Sequence, residues 1–140
     1  MFYEIETYKR VGPIHLGMTQ TQIRNVLGGN VQSFVKNEYA PGDTDDFVDL
    51  GIHVHYSAKA ICQAVEFAGI AIPTFAGKPL LRVPFEGLVD LIKPLDSALE
   101  IDETGFISRL LGFGVYISSM EDCSDPTEAV IVFEKGYYEQ

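Results

Sequence analysis

The chain has 140 residues and a mass of 15.5 kDa, the size of one domain built on one core, so 1–140 is read as a single domain. Hydrophobic residues make up 46% and charged residues 21%, with nine Phe and seven Tyr, enough apolar material to exclude intrinsic disorder. Twenty Asp and Glu against ten Lys and Arg leave a formal charge of −10, and a polyanion repels phosphate backbones, which disfavours direct nucleic-acid binding.

Met1-Phe2-Tyr3-Glu4-Ile5-Glu6 carries acids where a signal peptide carries its basic segment, so the expected address is the cytoplasm. No apolar run reaches the roughly 18 to 20 residues of a membrane-spanning helix; the longest, Ala64 to Phe75, is interrupted by Glu66, Gly69 and Pro73. No membrane partner is expected. Ile14 to Leu16 reads as a short strand, followed by a helix with apolar positions at Ile23, Val26 and Leu27. Thr19 is its N-cap, Gln22 completes a capping box and Gly28 stops it. Val31 to Lys36 reads as a long strand and Asp43 to Asp49 as an acidic loop. Leu50 to Tyr56 alternates as a strand with one buried face, Ala64 to Phe67 closes this half, and Ala68 to Lys78, broken by Gly69, Pro73 and Gly77, is the linker.

The plan then recurs. Leu88, Leu91 and Ile92 repeat the helical spacing after Pro84, and Pro94 ends that helix. Ala98 to Leu110 reads as a first long strand, bent at Thr104-Gly105 as a hairpin. Leu111 to Ile117 matches Leu50 to Tyr56, and Val130 to Phe133 matches Ala64 to Phe67. The predicted fold class is α+β, with tandem strand–helix–three-strand repeats over about 10–68 and 78–138. The strands, eight in all, form one antiparallel sheet with both helices on one face.

The acids are clustered. No Lys or Arg stands between Lys36 and Lys59, where Glu38, Asp43, Asp45, Asp46 and Asp49 fall. Asp96, Glu100, Asp102 and Glu103 form a second group, and Glu121, Asp122, Asp125, Glu128 and Glu134 lie in a stretch free of cations. Clustered like charges repel one another, and a cationic partner offsets that cost while being steered by the field; the plainer alternative is that acidic loops keep a small protein soluble. Tyr is favoured at interfaces for its area and low entropic cost. Tyr39, beside the acidic loop, and Tyr116, opposite Phe113 and Val115, are the interface candidates, whereas Phe47, Phe67, Phe113 and Phe133 belong to the core.

His53 and His55 share one face of a strand and stand near Asp43, Asp45 and Asp46, a donor set that suits a metal. As a calcium loop the acidic run lacks Gly at its sixth position (Val48) and Glu at its twelfth (Val54), and two His at i and i+2 are more often exposed residues of a half-buried sheet. No metal or cofactor is therefore expected. Cys62 and Cys123 fit no metal spacing and are expected to be free thiols. Acidic neighbours Glu121, Asp122 and Asp125 suppress the Cys123 thiolate, and no GxSxG elbow exists, so no enzymatic activity is expected.

Two resemblances add to this. Gly12-Pro13-Ile14-His15-Leu16-Gly17-Met18-Thr19 with Gln22, Ile23, Val26, Leu27 and Gly28 resembles the strand-to-helix signature of the small outer-membrane assembly lipoprotein fold (BamE, SmpA/OmlA), and the tandem arrangement resembles the β-lactamase inhibitor protein that doubles such a unit. Asp45-Asp46-Phe47-x-Asp49-Leu50-Gly51-Ile52-x-Val54-x-Tyr56 and Ile131-Val132-Phe133-x-x-Gly136-Tyr137-Tyr138 are similar to small acidic bacterial immunity proteins, including those of contact-dependent growth inhibition. That resemblance implies a protein that binds and neutralises a basic protein toxin domain, often a nuclease. The expected partner-binding residues are Tyr39, Asp43, Asp45, Asp46, Asp49, His53, His55, Tyr116, Glu121, Asp122 and Asp125. The competing expectation is a metal-dependent or small-ligand enzyme built on His53, His55 and the Asp43–Asp49 region.

Overall fold

The computed structural model describes residues 2–118 and 121–139. In chain order the elements are β1 (Phe2–Glu6), β2 (Arg10–Val11), β3 (Ile14–His15), α1 (Gln20–Leu27), β4 (Val31–Phe34), β5 (Thr44–Phe47), β6 (Ile52–Tyr56), β7 (Cys62–Phe67), β8 (Ile72–Phe75), β9 (Lys78–Pro79), α2 (Phe85–Ile92), β10 (Glu100–Asp102), β11 (Gly105–Ser108), β12 (Phe113–Tyr116) and β13 (Ala129–Phe133), with a 3-10 turn at Tyr137–Glu139. The architecture is α+β. One sheet has eight strands in the order β10-β11-β12-β13-β7-β6-β5-β4, and a second has five in the order β3-β2-β1-β8-β9.

Alternation decides which side of the large sheet is buried. Val65 stands opposite Val54 and Val132, and Phe67 opposite Ile52 and Val130; all six are buried. Both helices lie on this side. Arg24 of α1 reaches Asp45 of β5, and Phe85 of α2 packs on Phe106 of β11 at 5.9 Å between ring centroids. The small sheet covers the rest of it, with Tyr3 against Phe67 at 5.4 Å and Phe75 against Phe113 at 5.2 Å.

The capping box forms as its sequence predicts: the Gln22 amide donates to Thr19 Oγ1 at 3.2 Å and the Thr19 amide to Gln22 Oε1 at 3.0 Å. Thr19→Ala is expected to lower stability by about 1 kcal/mol, read as a reduced urea midpoint at unchanged slope. Gly28 ends the helix at φ +63°.

Three expectations are corrected and one, the second-half hairpin, is met. The short strand at Ile14–His15 does not join the large sheet but pairs with β2. The segment read as linker contains β8, which pairs in parallel with the unpredicted β1, Phe2 opposite Ile72 and Glu4 opposite Thr74. The hairpin expected at Thr104-Gly105 forms, pairing β10 with β11 and setting Asp102 opposite Gly105. The acidic loop contains β5, with Thr44, Asp45 and Phe47 buried between β4 and β6.

The crossing from β7 to the small sheet passes directly over the β5–β6 turn. A Cβ on Gly51, which has φ +69°, would stand 2.2 Å from the Gly69 Cα, and one on Gly69 would stand 2.5 Å from the Gly51 Cα. No side chain fits at either position. In the second half, Asp96, buried after α2, accepts from the buried Ser108 hydroxyl of β11 at 2.8 Å and from the Ala98 amide at 3.0 Å, which supplies the partners a buried carboxylate requires.

Candidate functional site

Because the eight strands run side by side, their connections fall at two ends of the sheet. At the first end are the β5–β6 turn, the crossing after β7, the β10–β11 hairpin and the β12–β13 loop. These carry Asp49, Asp102, Glu103, Glu121, Asp122, Asp125 and Glu128, and Arg82 also reaches this end, donating to the Gly69 carbonyl at 2.6 Å. At the second end are the β4–β5, β6–β7 and β11–β12 connections and the residues after β13, which hold Lys36, Lys59, Arg109 and Lys135 together with Glu38, Asp43 and Glu134. The charge is therefore polarised along the strand direction.

Exposed apolar side chains accompany the acids at the first end. Ile70 is 74% and Phe2 71% exposed; Phe2 starts β1 opposite Ile72 of β8, and Gly69 brings Ile70 beside the turn that carries the exposed Val48. Tyr116, at the end of β12, is 49% exposed. The β12–β13 loop is held against the start of α2: the Phe85 amide donates to the Asp125 carbonyl and the Glu86 amide to that of Cys123. The loop is also internally fixed, with Asp125 Oδ2 accepting from the Glu121 and Asp122 amides at 3.0 and 3.1 Å. Asp122 accepts from the Ser124 amide and hydroxyl, which hold its carboxyl below the ordinary range.

The expected partner-binding residues separate into four places. Asp49, Tyr116, Glu121, Asp122 and Asp125 share the first end. Tyr39, 87% exposed, and Asp43 lie at the second end, beside a cleft of about 320 Å³ that Thr44, His55, Tyr56 and Tyr137 also line. Asp46 and His53 face each other on the uncovered side of the large sheet, 3.3 Å apart. Asp45 points to the covered side and is fully buried.

Asp45 and His55 therefore correct the expectation of surface groups. Asp45 accepts two bonds from the Arg24 guanidinium at 2.8 Å, one from Tyr56 Oη at 3.0 Å and one from Gln20 at 3.2 Å. Burial alone raises its carboxyl, but Arg24, Tyr56 and Gln20 outweigh it and hold the group below the usual carboxylate range. The same burial and the adjacent Asp45 push the Tyr56 phenol well above its ordinary value. His55 is buried with both ring nitrogens engaged, Nδ1 2.8 Å from Thr44 Oγ1 and Nε2 3.1 Å from Glu66. A neutral ring satisfies both contacts, Nε2–H donating to the carboxylate and Nδ1 accepting the hydroxyl proton. The His55 bond holds the Glu66 carboxyl below its ordinary range against the opposing effect of burial.

Among the described residues no three His, Cys, Asp or Glu side chains group as metal ligands. Cys62 is buried and Cys123 exposed, both free; burial pushes the Cys62 thiol up to about 12. The Cys123 thiol is raised chiefly by Glu86, which accepts from its Sγ at 2.9 Å and which the local acidic run could not reveal, with Asp122 adding to it. No helix among the described residues is long and apolar enough to cross a membrane.

A second cleft, of about 230 Å³, opens on the uncovered side of the β10–β13 half between Tyr116 and Tyr138. Sequence reasoning found Tyr116 but not this groove, whose floor comes from three different strands.

The chain was compared with known protein families, curated proteins and solved structures, and it matches none of them.

Proposed function

We propose that the chain is an inhibitory binding protein of the immunity type, which neutralises a cationic protein toxin domain, such as a nuclease, by covering it with the acidic end of the eight-stranded sheet. The observation that carries this reading is the polarised charge: seven carboxylates, Asp49, Asp102, Glu103, Glu121, Asp122, Asp125 and Glu128, at the end where Phe2, Ile70, Val48 and Tyr116 are exposed. An apolar centre within a charged rim is the anatomy of a specific protein interface, in which the centre supplies affinity and the rim supplies steering. The partner is a protein, with nucleic acid and membrane lipid both disfavoured by the same charge. The enzyme reading is supported less well, since Asp45 faces away from His53 and His55, and both His55 nitrogens already have partners.

The same reading includes the fold. The segments β4–β7 and β10–β13 run in mirrored order and meet at the central β7–β13 pair, each following a helix on the covered side. This supports two copies of one unit, over about 10–68 and 78–138.

The test is co-expression with a toxin domain encoded beside this gene, which is expected to restore growth. In vitro, association with that domain is expected to slow at least roughly tenfold between low salt and about 0.5 M salt. Continued killing, or association indifferent to salt, would overturn the proposal.

A further inference from the structure

The groove between Tyr116 and Tyr138 has the composition of a receptor for a single planar cation. Its floor is apolar and flat: Ile107, Gly114 and Ile131 stand opposite one another across β11, β12 and β13. Gly114 keeps it open, since a Cβ there would stand 3.1 Å from the Phe106 carbonyl oxygen and 3.4 Å from Ile107 Cγ1. The two tyrosines line it, both partly exposed, and Glu100 and Asp102 of the edge strand supply carboxylates. The protein's own Arg109 already uses one end of this arrangement. Its guanidinium carbon lies 6.0 Å from the centroid of the Tyr138 ring, and its Nε donates to Glu100.

We infer that the Tyr116 end of this groove binds an arginine side chain of the partner, guanidinium on the tyrosine ring and stem along Ile107 and Ile131. A guanidinium suits the site better than an ammonium because it is planar, weakly hydrated and stacks on aromatic faces. Long stems bury well on aliphatic floors while the charged head stays at the rim. The inference rests on the reading of a cationic partner and sharpens it: the diffuse field of the acidic end attracts, and this groove reads one residue type.

The test uses the full chain, labelled for backbone amide NMR, titrated with N-acetyl-arginine amide and with the neutral N-acetyl-citrulline amide. Arginine amide is expected to shift the resonances of Gly105, Gly114, Tyr116 and Ile131, and citrulline amide to leave them in place. Tyr116→Ala is expected to weaken binding about threefold, while Tyr116→Phe, which keeps the ring, retains it. Shifts spread equally over Asp49, Glu121, Asp122 and Asp125, or a Tyr116→Ala variant that binds like the wild type, would overturn the groove. So would the absence of any arginine-specific shift. Toxin neutralisation in the co-expression assay is read separately, so a failed groove with restored growth leaves the inhibitor reading intact, and a filled groove without restored growth removes only that reading.

Discussion

Replacing Arg24 by Met is expected to destabilise the protein by about 3 kcal/mol, because it removes the cation from a carboxylate that has no access to water. Asp45 is fully buried, whereas the Arg24 side chain is 40% exposed, which sets the effect at the lower end of what broken buried pairs cost. Tyr56 Oη and the Gln20 amide remain as donors to Asp45. They supply hydrogen bonds without charge, and burial then dominates the carboxyl.

The pH dependence carries the sign. In the wild type the folded Asp45 titrates below its unfolded value of roughly 3.9, so its contribution to stability is complete above that value and is lost as pH falls through the folded one. Without Arg24 the folded carboxyl titrates above the unfolded one, and the variant gains relative stability as it is protonated. Denaturant melts of the two proteins should thus differ most near neutrality and converge at roughly pH 4 and below. A gap that stays constant from neutral to acid pH would mean that Asp45 is not the group responsible.

Gly51→Ala is expected to cost about 3 kcal/mol or more, from two sources that add. The residue has φ +69°, where an alanine loses roughly 1 kcal/mol, and its Cβ would stand 2.2 Å from the Gly69 Cα, which forces the two backbone segments apart. The readout is thermal or urea unfolding of the variant beside Gly77→Ala, also at positive φ (+76°) but with nothing within 4 Å of its Cβ. Gly77→Ala carries the backbone strain alone, so equal losses in the two variants would show that the crossing tolerates a methyl group.

What could be read from the sequence follows how far each signal reaches along the chain. The Thr19–Gln22 box and the alternating runs of β6, β7, β12 and β13 are local, and they form where they were expected. The β5 strand was hidden because Thr44-Asp45-Asp46-Phe47 reads as an acidic loop. Its buried carboxylate becomes tolerable only through Arg24, 21 residues earlier in the chain. Gly69 and Pro73 masked β8, whose pairing partner β1 lies some seventy residues away. The clustering of acids was visible, but its polarity was not. Asp49 and Asp125 share an end only because strand order puts their turns there, and Asp43, six residues from Asp49, goes to the opposite one. Tyr138 could be joined to Tyr116 only once β13 and the 3-10 turn were placed.

β13 is the final strand in chain order, yet it occupies the middle of the large sheet, hydrogen-bonded to β12 on one side and β7 on the other. Any folding intermediate assembled from earlier strands therefore keeps β7 as an open rim, with Ala64, Val65 and Phe67 beside unpaired amides, the kind of edge that recruits foreign strands. Closure waits for a segment whose contacts span more than sixty residues, which makes folding slow and strongly cooperative. Neither half can complete its sheet without the other, so proteolytic nicking between them should release no stable fragment.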